Sequence, residues 1–211
     1  MSRATEQCIS ALHQTLAADP DAYHPQETMI TAGENLVDVL DALHTSGPDA
    51  FHPLRGNSPD VRAEAFVQWF ADRIAEAGGI PSNSVVRRTA VRCARNILEN
   101  PEIRSVITRA DSTVDLRLDS ELFCEIYRLF FTQLVGEFIR SIITAKIDLW
   151  VPELRTIDSK ILEWVGGMVV ELIPDPCEER RRREGEGSLA NLARDLVAET
   201  VRRVLGLPDE K

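Results

Sequence analysis

The residues of this chain best suited to chemistry are few: four histidines, four cysteines, and two glutamates inside a long apolar segment. His13, His24, His44 and His52 are all the histidines present, and imidazole is a ligand for zinc, copper or nickel. Two of them belong to a repeat. Pro20-Asp21-Ala22-Tyr23-His24-Pro25 returns 28 residues later as Pro48-Asp49-Ala50-Phe51-His52-Pro53, and each copy follows an Ala-Leu-His that ends a predicted helix. A unit used twice in this way is an architectural signal. The separations of 11, 20 and 8 residues between the histidines match no compact ligand pattern. A residue before proline is driven out of the helical region, and Pro25 suits the first position of the next helix. Tyr23 and Phe51 then read as aromatic pegs for two loops, and no metal or other cofactor is expected.

Cys8, Cys93, Cys124 and Cys177 lie far apart with no Cys-x-x-Cys among them, which removes the zinc ribbon and the dithiol redox motif. Buried free thiols in a reducing cytosol are the expectation. Glu125 and Glu137 each have an arginine three residues on, Arg128 and Arg140, so internal ion pairing is a simpler role for them than acid–base work. Catalytic signatures fail one after another: no lysine follows a glycine, no glutamate follows a histidine, and no G-x-S-x-G occurs. No histidine after position 52 is present to complete a di-iron helical bundle. The chain reads as a protein without catalytic activity.

The elements that must hold these residues are helical nearly throughout, and 211 residues are enough to bury a sizeable core. The expected fold is an all-α multi-helix bundle around a long, largely buried central helix at about 120–151, whose apolar residues cover most of its circumference. Ser58-Pro59 makes a cap-plus-first-position start for a helix that runs past Ile74, Ser84 can cap the next, and Asn100-Pro101 closes that one and opens a short one. Residues 110–119 alternate apolar and polar, the one credible extended piece. Residues 1–176 form the bundle domain, with the helix–loop repeat inside 1–57. Residues 177–187 form a charged linker, in which Arg180, Arg181, Arg182 and Arg183 are balanced by Glu178, Glu179, Glu184 and Glu186. Residues 188–205 form a C-terminal amphipathic helix capped by Ser188. On such a linker this helix is expected to be a detachable arm, with Leu189, Leu192, Leu196, Val197, Val201 and Val204 docking on a partner.

The net charge is −10, with eight acids against Arg3 in residues 1–50 and six arginines against two glutamates in 85–109. An acidic total argues against general polyanion binding while leaving a local basic face. Arginine outnumbers lysine 21 to 3, a weak pointer to a GC-rich bacterial source. The longest uncharged run, Gln7–Ala18, is too short to span a bilayer, and no signal peptide is recognisable. A cytoplasmic protein with no membrane span is expected.

Ile74-Ala-Glu-Ala-Gly-Gly79-Ile80-Pro81-Ser82-Asn83-Ser84-Val85-Val86-Arg87-Arg88 resembles the helix-turn-helix of bacterial repressors, with Ala75 as its small residue, Gly79 and Ile80 in its turn, and Val85 facing inward. The resemblance implies that Pro81, Ser82, Asn83, Val86 and Arg87 stand at the front of a recognition helix, with Arg92 and Arg95 nearer the phosphates. Arg88 departs from the motif, which wants an apolar residue there, and the preceding helix is longer than the motif's first partner. Two functions follow from the sequence. The first is a non-catalytic interaction or regulatory module, alone or within a larger assembly, meeting another protein or a second copy. The alternative is a DNA-binding transcriptional regulator acting through 74–95. A small-molecule sensor with a pocket between helices is compatible with either.

Overall fold

Five of the seven helices described open on a proline, whose fixed φ and missing N–H suit a helix's first turn. The computed structural model describes residues 25–47, 58–75, 81–109, 118–147, 167 and 169–205. The helices are α1 (Pro25–Ser46), α2 (Pro59–Ile74), α3 (Pro81–Glu99), α4 (Pro101–Ile107), α5 (Ser120–Ile147), α6 (Pro176–Arg182) and α7 (Leu189–Leu205). They pack against one another as an all-α bundle; 88% of the described residues are helical and none is in a strand. The first hexapeptide up to Pro25, the whole of the second, the residues expected to be extended at 110–117, and Cys8, His13, His24, His52, Trp150 and Trp164 lie outside the described residues.

Side chains just before these prolines cap the helices. Ser58 Oγ accepts from Val61 N at 3.3 Å, and Asn100 Oδ1 accepts from the Glu102 and Ile103 amides at 3.0 and 3.3 Å. Ser188 Oγ accepts from Asn191 N at 3.1 Å, the cap expected for the last helix. Ser84 does not cap: α3 begins a turn earlier at Pro81, which places Ser84 inside it.

The centre of the bundle is α5. Phe123, Ile126, Tyr127, Phe130, Phe131, Leu134, Val135 and Phe138 are all buried along it, the environment that its apolar circumference requires. Phe131 stacks at a tilt on Tyr127 with ring centroids 4.9 Å apart and meets Phe130 edge-on at 5.7 Å. At the other end of the same helix, Leu118 is tied to the end of α1. Its N–H donates to Leu43 O at 3.2 Å, and its carbonyl accepts from His44 Nδ1. His44, the one described histidine, is therefore a structural donor that packs its ring edge against Phe123.

The C-terminal helix is no arm. Leu189, Leu192, Leu196, Val197, Val201 and Val204, the residues expected to meet a partner, are all buried in the fold. The apolar stripe of α7 lies mainly along α1, with further contacts to α5 and α6. Its Thr200 hydroxyl donates to Leu196 O at 2.7 Å and so accepts the proton of Tyr127, 3.1 Å away, which satisfies both buried hydroxyls. On the outside, Arg194 Nη2 meets Asp38 Oδ1 of α1 at 2.5 Å.

Much of the expected linker is also structured. Asp175 Oδ1 accepts from the amides of Cys177 and Glu178 at 2.8 and 3.4 Å and starts α6. Arg182 and Arg183 pair with Glu179 one turn back, at 2.9 and 2.8 Å. Only 183–188 connects without helix, turning through Glu184, Gly185 and Gly187 at φ of 54°, 83° and 85°. The expectation of free thiols fails for two of the cysteines, because Cys177 on α6 is disulfide-bonded to Cys124 on α5, Cα to Cα 6.0 Å. Closing a loop of 53 residues removes chain entropy from the unfolded state, a stabilisation of about 4 kcal/mol on the loop-length relation.

Cys93 is the free, buried cysteine among the described residues. Burial pushes its thiol up to about 12 and also raises the Tyr127 hydroxyl above its ordinary value. Both groups favour the folded state while protonated, so their contribution is complete below their unfolded values of 9.0 and 10.0 and is lost as pH rises beyond them. Urea unfolding curves from pH 7 to 11 should show stability falling from about pH 9, and Cys93→Ala should flatten the first part of that fall. A wild-type profile flat to pH 11 would contradict the burial of both groups.

Candidate interaction face

α3 carries two faces set by the helical period. Val85, Val86, Ala90, Cys93, Ala94, Ile97 and Leu98 are buried and pack against α2 and α5. Arg87, Arg88, Arg92 and Arg95 fall on the outer face, with side chains 47%, 57%, 52% and 62% exposed.

The outer face is organised around one buried carboxylate. Glu137 of α5 is 6% exposed, and three guanidiniums converge on it: Arg92 Nη1 at 2.5 Å, Arg88 Nε at 3.7 Å and Arg140 Nη1 at 3.8 Å. The pair with Arg140 is the one expected from the i, i+3 spacing. The two from α3 were not legible, since they come from a separate helix about 45 residues earlier. Arg87 Nη2 meets Asp72 Oδ1 at 2.7 Å and Gln68 Oε1 at 3.4 Å, and Arg95 lies 3.9 Å from Glu64. Five guanidiniums thus share three carboxylates, leaving a surplus of positive charge on this face.

The neighbouring expectation for Glu125 takes a different form. Glu125 is exposed, and Arg128 turns instead to Asp175 at 3.7 Å. Cys124, Cys177 and Asp175 bring possible metal-ligating atoms within 4.8 Å of one another, but the two sulfurs are bonded to each other and Asp175 caps α6.

Of the seven residues that the helix-turn-helix resemblance implied for the DNA face, Arg87, Arg92 and Arg95 do share the outer face, and Pro81 is the first residue of α3. Asn83 is half-buried, and Ser82 falls in the first turn of α3, its side chain outside the description. Val86 is 2% exposed and belongs to the core. Arg88, two residues on, where the motif wants an apolar residue, is exposed. The pattern is displaced because α3 seats Val85 and Val86 together against the bundle.

No protein-family model, curated protein or solved structure matches this chain.

Replacing Glu137 by Gln leaves three arginines around a site that no longer carries charge. The expected loss is about 1–2 kcal/mol in urea unfolding, less than for a fully buried pair because water screens the half-exposed guanidiniums. An unchanged midpoint would show that Glu137 does not organise the cluster.

Proposed function

We propose that this chain is a non-catalytic protein-interaction or regulatory module, acting alone or within a larger assembly, and that the arginine face of α3 meets its partner. The observation that carries this reading is the sharing of three carboxylates by Arg87, Arg88, Arg92, Arg95 and Arg140. Arginine is enriched at interfaces and presents a planar fork that fits carboxylates. A fork already held by a carboxylate loses little freedom when a second one arrives. An acidic segment of another protein, or of a second copy of this acidic chain, complements the surplus charge.

The absence of catalysis is part of the same proposal. The two groups with strongly raised pKa, Cys93 and Tyr127, are sealed protonated in the core rather than poised in a cleft. Among the described residues no helix is long and apolar enough to cross a membrane. A cytoplasmic home, also part of the reading, requires the Cys124–Cys177 bond to persist or to cycle where thiols are generally kept reduced.

Duplex DNA is the second reading, favoured by the three arginines on the outer face and opposed by the burial of Val86. The two are separated by one comparison. The double variant Arg88→Glu/Arg95→Glu, folded by circular dichroism, should lose a protein that the wild type captures from its native host, or lose self-association in sedimentation. Wild-type binding to duplex DNA should remain in the non-specific range, weaker than about 1 μM at physiological salt. A sub-micromolar, sequence-selective complex with DNA that weakens steeply with salt would overturn the proposal in favour of the regulator.

A further inference from the structure

Away from the arginine face, a cavity of about 130 Å³ opens where the end of α1, α2, the end of α3, α4 and the start of α5 meet. Most of its wall is apolar: Leu43, Phe66, Ile97, Ile103, Leu118 and Ile126 are all buried residues of the core. The volume is close to that of an engineered aliphatic cavity of about 150 Å³ that stays dry and takes up benzene. Packed interiors hold few voids larger than a water molecule, so a cavity this size at a junction of five helices is suited to a guest.

The polar groups at its edge have one sign. Among the described residues, Asn100, Glu102 and Asp119 line it, so the charged groups there are both acidic and no arginine, lysine or histidine accompanies them. Asn100 Oδ1 is engaged in capping α4, and Asp119 Oδ1 accepts from Leu122 N at 2.8 Å. Glu102 is exposed, and its carboxylate makes no hydrogen bond or ion pair among the described residues. A guest with an apolar body and a cationic head fits this arrangement, the body in the cavity and the head at its acidic edge beside Glu102.

We propose that this cavity binds a compact apolar amine, a small aromatic or branched aliphatic group bearing one ammonium. Such a site would make the module responsive to a small molecule, and it stands or falls independently of the partner at the arginine face. The whole chain is titrated at pH 7, by NMR and calorimetry, with benzylamine, benzyl alcohol and benzoate, which share a ring and differ in charge. Benzylamine should bind saturably at one site, more tightly than benzyl alcohol, with benzoate weakest. Glu102→Gln should weaken benzylamine by about two- to five-fold, the range of an exposed ion pair, and leave benzyl alcohol unchanged. Ile103→Phe, or Val106→Phe at the half-buried part of the wall if the first fails to fold, should fill the space and abolish binding of both. No saturable binding by benzylamine or benzyl alcohol, or binding undiminished in the folded filled variant, would overturn the site. Benzoate binding as well as benzylamine would overturn the cationic specificity.

Discussion

At Gly33 three helices come closer than any side chain would permit. A Cβ placed there would stand 2.5 Å from the ring of Phe131 on α5 and 2.8 Å from Val197 on α7. Both distances are well inside van der Waals contact, and neither neighbour is free to retreat: Phe131 and Val197 are 0% and 1% exposed. The missing side chain of one α1 residue is therefore what allows the central helix and the last helix to seat against α1 together. An overpacked core generally costs about 1–3 kcal/mol, and here the cost would fall at the junction of three elements.

Several other features are arranged around that approach. Tyr127, one turn before Phe131, reaches across to Thr200 of α7, and the hydroxyls satisfy each other in the core. Asp38, a little more than one turn after Gly33, meets Arg194 from the same helix. The disulfide fastens α6, which leads into α7, to the second turn of α5. Beyond this junction, Glu137 gathers arginines from α3 and from its own helix, so a single buried carboxylate shapes the charged exterior. The apolar cavity lies at the end of α5 opposite Glu137, between the helix ends that Leu118 and His44 tie together.

The sequence made the helical class, the buried character of α5 and the Ser58, Asn100 and Ser188 caps readable, because each depends on neighbours within a turn or two. Asp175-Pro176 carries the same cap-plus-proline signature as Ser58-Pro59 and Asn100-Pro101, and it signalled α6. The dense charge that follows obscured it, although Glu179 with Arg182 and Arg183 is helix-stabilising spacing. Amphipathicity marked the correct face of α7 but said nothing about what covers it. A stripe that docks on a partner and one that docks on its own α1 look alike in sequence, and Gly33 is the residue that distinguishes them. The Cys124–Cys177 bond and the pairing of the α3 arginines with Glu137 join residues about 50 apart, a distance at which periodicity carries no information. For the candidate site, the basic character of 85–109 was evident, whereas its pairing with Glu64, Asp72 and Glu137 was not.

The place of α7 in the core supports the rest of the account, since it decides which surfaces remain for function and assigns the apolar end helix to structure. Thermal unfolding of the chain ending at Gly187, compared with the full chain, tests this most directly. The account predicts that the truncated chain loses its cooperative transition, because α1 loses the helix that packs along it and the buried Tyr127 hydroxyl loses Thr200. A truncated chain that still melts cooperatively within a few degrees of the full-length protein would contradict it, and would return the last helix to the role of a separable arm.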